Sequence, residues 1–312
     1  MSFLFPVPCP LTPLLAAFCF LLSAFSLFAA RDRYTVTEVK PQVFVWVPED
    51  IIDFDGDPKF SLSGTAGFII GPDGAVVVNT TNSPFHAREL LYEIRQRTDQ
   101  PVKYVIDTDP RGDHMLGNEV FVDQRSTIIS SSAAETRMRE YFRDIAARMD
   151  AEGEPGFRMR DRMRGIHFTL PSQTIDKDLT IGVGGDEIRL LIPGMGPSPG
   201  SLMVYLPRAK ALFLGDLYEN GYLPKLEGVN LEKWAEFLRK VESWDVDVFV
   251  PGHGPPGDKK SLAEFRKFLE WSEKNLNPAP SLEKSLIQTH RGPWRRATTS
   301  ELGANSTPTR VD

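Results

Sequence analysis

Short apolar runs separated by glycine, proline and charged residues dominate the chain from about residue 40 onward. Val43-Phe44-Val45-Trp46 reads as an opening strand. Phe68-Ile69-Ile70 and Ala75-Val76-Val77-Val78 flank Gly71-Pro72-Asp73-Gly74, the pattern of a β-hairpin. A helix start follows at Asn82-Ser83-Pro84, with Ala87, Leu90, Leu91 and Ile94 at helical spacing on one face. Val102 to Ile106 reads as a short buried strand, and the loop after it carries an Asp113-His114 pair.

The second half repeats the alternation. Thr127-Ile128-Ile129 predicts a strand and Ala133 to Ala147 a helix, with Asp150 to Gly165 a mobile, charged excursion. Further strands are expected at Leu179-Ile181, Glu187-Ile192, Leu202-Leu206, Ala211-Leu214 and Val248-Phe249-Val250. Helices are expected at Leu231 to Trp244 and Ser261 to Asn275. Strands gathered in runs, with a helix after each half, fit helices packed outside two facing sheets.

Both ends depart from this pattern. Leu11 to Phe28 is almost entirely apolar and ends at Ala29-Ala30 before Arg31-Asp32-Arg33. That is the length of a signal peptide's apolar core and just short of a comfortable membrane span. The expectation is an exported protein, periplasmic or extracellular, or one anchored in a membrane through residues 11–28. Residues 1–30 are then leader or anchor, residues 31–277 a folded domain, and the polar, Pro-, Ser- and Thr-rich stretch 278–312 a disordered tail. Cys9 and Cys19 are the only cysteines of the chain, so residues 31–312 offer neither a disulfide nor a thiolate ligand.

Composition is that of an ordinary globular protein, with 41% hydrophobic and 25% charged residues. The net charge of −6 argues against a nucleic-acid partner, which needs a basic footprint, and leaves a small-molecule substrate as the expected partner. Arg158, Arg160, Arg162 and Arg164 form a local basic patch with acidic flanks, read as a solvated loop face.

Chemistry concentrates in four segments. They are Asp107-Thr108-Asp109-Pro110-Arg111-Gly112-Asp113-His114-Met115-Leu116-Gly117-Asn118, then Gly196-Pro197-Ser198-Pro199-Gly200, then Leu214-Gly215-Asp216, and last Pro251-Gly252-His253-Gly254. Together they resemble the metallo-β-lactamase superfamily, over roughly residues 40 to 275. Members of that superfamily carry Asn-Thr-His-x-His-x-Asp-His where this chain has Asp109, Arg111, Asp113 and His114. The third segment matches the strand whose aspartate bridges two metals, and Pro197 stands at the histidine of Gly-His-Thr-x-Gly. Asn79 replaces a usual aspartate.

The resemblance implies an α+β fold, the αββα four-layer sandwich with its site on one edge. It also implies that the three histidines of the first metal are replaced, by Asp109, Arg111 and Pro197, whereas the second-metal positions survive as Asp113, His114, Asp216 and His253. Two imidazoles with carboxylates suit one Zn²⁺ per chain, or iron. Such a metal can generate a hydroxide at neutral pH for hydrolysis of an ester, thioester or amide. Arg111 and Asp109 then orient the substrate or the water: a guanidinium at the vacated position balances the carboxylates and can clamp an anionic or carbonyl-bearing group. Asp109, Arg111 and Asp113 are thus the candidate catalytic residues. The alternative is a metal-free, non-catalytic binding module in which Arg111 locks Asp113 or Asp216 into an ion pair.

Three of the chain's five histidines lie outside the motifs. His86 reads as a surface residue near a helix start, His167 as a half-buried strand residue beside Phe168, and His290 as part of the tail. Trp234 and Trp244 read as packing residues of one helix.

Overall fold

The computed structural model describes residues 34–48, 63–226, 228–276 and 295–296. The apolar run at 11–28, both cysteines, His290 and all of the tail except Arg295–Arg296 lie outside the described residues.

Seven strands form the first sheet in sequential order: β1 (Tyr34–Lys40), β2 (Val43–Pro48), β3 (Ala66–Gly71), β4 (Gly74–Val78), β5 (Val102–Ile106), β6 (Thr127–Ser131) and β7 (Gln173–Ile175). The first four run antiparallel, with the expected hairpin at Gly71↔Gly74, and the last four run parallel. The second sheet has the order β13-β11-β10-β9-β8, from β8 (Leu179–Val183), β9 (Asp186–Leu191), β10 (Met203–Leu206), β11 (Ala211–Glu219) and β13 (Val248–His253). Its meander is antiparallel, and β13 joins β11 in parallel.

The two sheets face each other across an aliphatic layer. Val43, Val45, Val76, Val78 and Ile106 from the first meet Ile188, Leu190, Val204, Phe213 and Val250 from the second. Each such side chain contributes about 1.5–3 kcal/mol on burial. Gly67 permits the close approach: a Cβ there would lie 2.3 Å from the Phe213 ring.

Helices cover both outer faces. On the first sheet, α1 (Pro84–Arg95) lays Ala87, Leu90 and Ile94 on Phe68, Val77 and Val105. Its start is set as the sequence indicates: Ser83 accepts from the His86 amide at 3.3 Å, and Pro84 fills the first turn, where a missing N–H costs nothing. Two short helices, α2 (Gly112–Met115) and α3 (Asn118–Val122), follow the motif loop, and α4 (Ser132–Asp150) follows β6. On the second sheet, α6 (Leu231–Glu242) and α7 (Lys259–Leu276) bury Trp234, Leu238, Leu262 and Phe265. The result is the four-layer αββα sandwich.

Several expectations need correction. The segment expected as a mobile excursion contains α5 (Gly153–Arg162), because Met159 and Met163 bury against Ile145 on α4. Arg160 and Arg164 are exposed as expected, on and just beyond a helix instead of in a loop. His86 is buried, its Nδ1 2.8 Å from Asn82 Oδ1 and its ring against Trp46. His167 is exposed and lies in no strand; its backbone N–H donates to Glu119 at 3.0 Å and its carbonyl accepts from the Thr169 hydroxyl at 3.2 Å. Trp234 packs as expected and donates to the Leu217 carbonyl at 2.9 Å.

Four strands carry no clear sequence signal. β1 alternates exposed and half-buried positions at a sheet edge, and β7 is mostly polar. β12 (Tyr222–Leu223) pairs in parallel with β14 (Arg295–Arg296), so two residues of the expected tail are in a strand. Among the described residues no helix is long and apolar enough to cross a membrane.

Candidate metal centre

Strands β4, β5, β11 and β13 deliver the chemistry to one edge. β5 ends at Ile106 and feeds Asp107 to His114, while β11 and β13 carry Asp216, Glu219 and His253 at their C-terminal ends. Parallel pairing within β4-β5 and within β11-β13 aligns these ends. Asn79, directly after β4, adopts a left-handed φ of 62°, a conformation that asparagine tolerates well. Its Oδ1 accepts from the Thr108 amide at 3.0 Å and hydroxyl at 2.9 Å, and its Nδ2 donates to the Thr65 carbonyl at 3.2 Å. An aspartate could not make the last bond.

Under the loop lies a buried polar chain. Thr80 donates to Asn118 Oδ1 at 2.7 Å, and Asn118 Nδ2 donates to Asp107 Oδ2 at 2.8 Å. The Thr80 amide also donates to the His114 carbonyl at 2.7 Å, which pins the backbone of the Asp113-His114 turn. Burial pushes the Asp107 carboxyl up to about 8, against the lowering effect of the Asn118 bond.

Above that base the candidate residues converge. His253 Nε2 lies 3.0 Å from Asp113 Oδ2, His114 Nε2 lies 3.0 Å from Asp216 Oδ1, and the two imidazoles meet edge to face at 5.4 Å. Asp113, His114 and His253 each offer a ligand atom within 4.8 Å of the others. Gly252 and Gly64 make room: a Cβ would lie 1.9 Å from Asp216 Oδ1 at the first and 2.5 Å from the His114 ring at the second.

Arg111 occupies the other side. Its guanidinium contacts the Asp216 carboxylate, and its Nε and backbone N–H donate to Asp109 Oδ1 at 3.0 and 3.1 Å. Ser198, beside Pro197, donates to the same Asp109 oxygen at 3.2 Å. Asp109 is therefore held as a structural partner of Arg111 and of the glycine-rich loop.

Glu219 was missed in the sequence. It is 3% exposed, and its Oε2 and Oε1 lie 3.1 and 3.4 Å from His253 Nδ1. The apolar positions Leu217 and Tyr218, which continue β11 past Gly215, were the signal that the strand reaches it.

Electrostatics favour a cation. Asp109, Asp216 and Glu219 are buried and Asp113 nearly so, against one permanent cation, Arg111. Burial would raise Asp113, but His114, His253 and Arg111 together hold it well below the ordinary carboxylate range. Burial pushes His114 down to about 4, helped by His253 and Arg111. His253 moves the other way, to about 10, because Glu219 and Asp113 outweigh the burial that opposes them.

The donor set fits one metal ion. His114 Nε2 and Asp216 Oδ1 are buried without a hydrogen-bond partner among the described residues, although they lie 3.0 Å apart. Atoms that converge without hydrogen-bond geometry are those a cation would satisfy. A second ion on the Arg111 side does not fit, since Asp109 is committed and the guanidinium supplies the charge.

A profile of the metallo-beta-lactamase superfamily matches residues 61–253. The chain belongs to that superfamily. Similar proteins include the linear primary-alkylsulfatase of Pseudomonas sp. (strain ATCC 19151), 23% identical over 266 residues, which are 71% of this chain and 50% of that protein. Another is the 2,4-dinitroanisole O-demethylase subunit alpha of Nocardioides sp. (strain JS1661), 24% identical over 190 residues, covering 59% and 51%. The chain thus spans about half the length of the curated relatives it matches. Among solved structures, a metallo-beta-lactamase from Pontibacter korlensis superposes with a TM-score of 0.57 at 23% identity, covering 76% of this chain and 99% of that one. The DIM-1 metallo-beta-lactamase gives 0.56 at 18%, covering 77% and 98%. Of the four positions expected from the resemblance to depart from the superfamily's motifs, Asp109, Arg111 and Pro197 lie on or beside the guanidinium side of the site, and Asn79 lies after β4 against Thr108.

Proposed function

We propose that the protein is a single-metal hydrolase of a small-molecule ester, thioester or amide, holding one zinc ion, or iron, through Asp113, His114, His253 and Asp216. The observation that carries this reading is the convergence of Asp113, His114 and His253, with His114 Nε2 against one oxygen of Asp216 and the Arg111 guanidinium against the other. A zinc ion there would supply a Lewis acid and acidify water toward a pKa of about 7. Arg111, 22% exposed and anchored by Asp109, is placed to attract an anionic or carbonyl oxygen of the substrate. The similarity to an alkylsulfatase and an O-demethylase supports cleavage at an ester-like or ether-like oxygen. The apolar run 11–28 supports export or membrane anchorage.

The test is turnover by the zinc-loaded full chain on a panel of carboxylic, sulfate and thioester substrates, alongside His253→Ala. Loss of both metal and turnover in the variant is expected; turnover that survives the substitution contradicts the reading. A metal-free binding module is favoured by one observation, the contact of Arg111 with Asp216. It predicts a folded chain that retains no metal and ligand binding that His253→Ala leaves unchanged.

A further inference from the structure

Glu219 occupies a place that the motifs do not account for. It lies three residues beyond Asp216 on β11 and pairs in register with His253 on β13, past a bulge between Gly215 and Glu219. Both of its carboxylate oxygens face the same imidazole nitrogen, at 3.1 and 3.4 Å. The backbone reinforces this, since the Asn220 amide donates to the His253 carbonyl at 3.0 Å. The Tyr222 ring packs beside His253, with centroids 6.1 Å apart.

A carboxylate at 3% exposure carries a large desolvation cost unless it is paired. Here the pairing has a direction. Glu219 takes His253 Nδ1, so Nε2 is left pointing at Asp113 Oδ2, 3.0 Å away. Asp216 Oδ1 is the other group near Nδ1, at 3.4 Å, but it makes no hydrogen bond there. The other histidine lacks such support: His114 Nδ1 is buried against Gly64 without a hydrogen-bond partner among the described residues. His253 is therefore the imidazole whose orientation is fixed from behind.

We infer that Glu219 is a positioning residue of the metal centre, accepting the Nδ1–H of His253 so that the Nε2 lone pair is presented beside Asp113 to a divalent metal. This rests on the single-metal reading above. Carboxylates behind metal-bound histidines fix the tautomer and ring orientation, and their loss costs about 10- to 100-fold in metal affinity. A merely structural Glu219–His253 pair would stabilise the β11-β13 junction without affecting metal binding.

The experiment measures zinc affinity of the full-length protein by competition with a chromophoric chelator, for the wild type, Glu219→Ala and Glu219→Gln. Expected is about a 10- to 100-fold weakening in Glu219→Ala and near-complete rescue in Glu219→Gln, whose amide oxygen still accepts the Nδ1–H. Unchanged affinity in Glu219→Ala overturns the role of Glu219 and leaves the metal centre standing. Equal weakening in both variants assigns the effect to charge and overturns positioning. A wild type that binds no zinc overturns the metal reading and this inference with it, a result visible without any variant. If Glu219→Ala does not fold, imidazole ¹⁵N spectra of the zinc-loaded wild type decide. A proton on His253 Nδ1 with zinc on Nε2 is expected, and the opposite tautomer overturns the inference.

Discussion

The Arg111 guanidinium lies against the Asp216 carboxylate while its Nε holds Asp109 at 3.0 Å. One side chain thus ties together two buried acids. The charge is permanent and cannot be removed by a chelator.

Removing that charge leaves two acids buried without compensation. Arg111→Met should cost about 3–5 kcal/mol of stability, the range for breaking a buried ion pair from one side. Urea unfolding checks this, and adding Asp109→Asn in the same chain should recover part of the loss. Arg111→Lys should rescue poorly, because a point charge cannot reach both carboxylates as a fork does.

Gly252 separates His253 from the rest of β13 and leaves space for Asp216. Gly252→Ala would place a Cβ 1.9 Å from Asp216 Oδ1 and 2.7 Å from the Asp216 backbone nitrogen. The expected outcome is a folded but less stable protein, by about 1–3 kcal/mol, with weakened metal binding. Gly67→Ala, which meets the Phe213 ring instead, should lower the melting temperature and leave metal affinity unchanged in the surviving folded protein.

Asp107 makes stability depend on pH. Burial raises its folded-state carboxyl from the ordinary 3.8 to about 8, so the native state keeps a proton that the unfolded chain releases. A raised carboxyl contributes stability below the unfolded value, and that contribution is lost as pH climbs through the window between about 4 and 8. The slope from this one group reaches up to about 1.4 kcal/mol per pH unit. Asp107→Asn, which can still accept from Asn118, should flatten that part of a chemical-denaturation profile and leave the variant more stable than the wild type at pH 9. A profile identical to the wild type would place the proton elsewhere.

Much of the fold was legible because its central strands are buried on both faces and read as unbroken apolar runs, as at Val76-Val77-Val78 and Phe249-Val250. The edge strands β1 and β7 were not, since exposed positions such as Thr35, Thr37 and Gln173 carry no core signal. Helix α5 was hidden among arginines, with Met159 and Met163 as its buried anchors. In the site, the motif spacing led to Asp113, His114, Asp216 and His253, and the structure gathers all four. Glu219 escaped because β11 reads as ending before Gly215, and only its pairing with β13 brings the carboxylate behind His253. The buried state of His86 depends on Trp46 and Asn82, partners that no local pattern specifies.

The most direct measurement is metal stoichiometry on the purified full-length protein, by elemental analysis after incubation with zinc and, separately, with iron. One tightly held ion per chain, lost in His253→Ala, is the predicted result. Two ions per chain would show that Arg111 does not replace the first metal. No bound ion in a well-folded protein would contradict the single-metal centre outright.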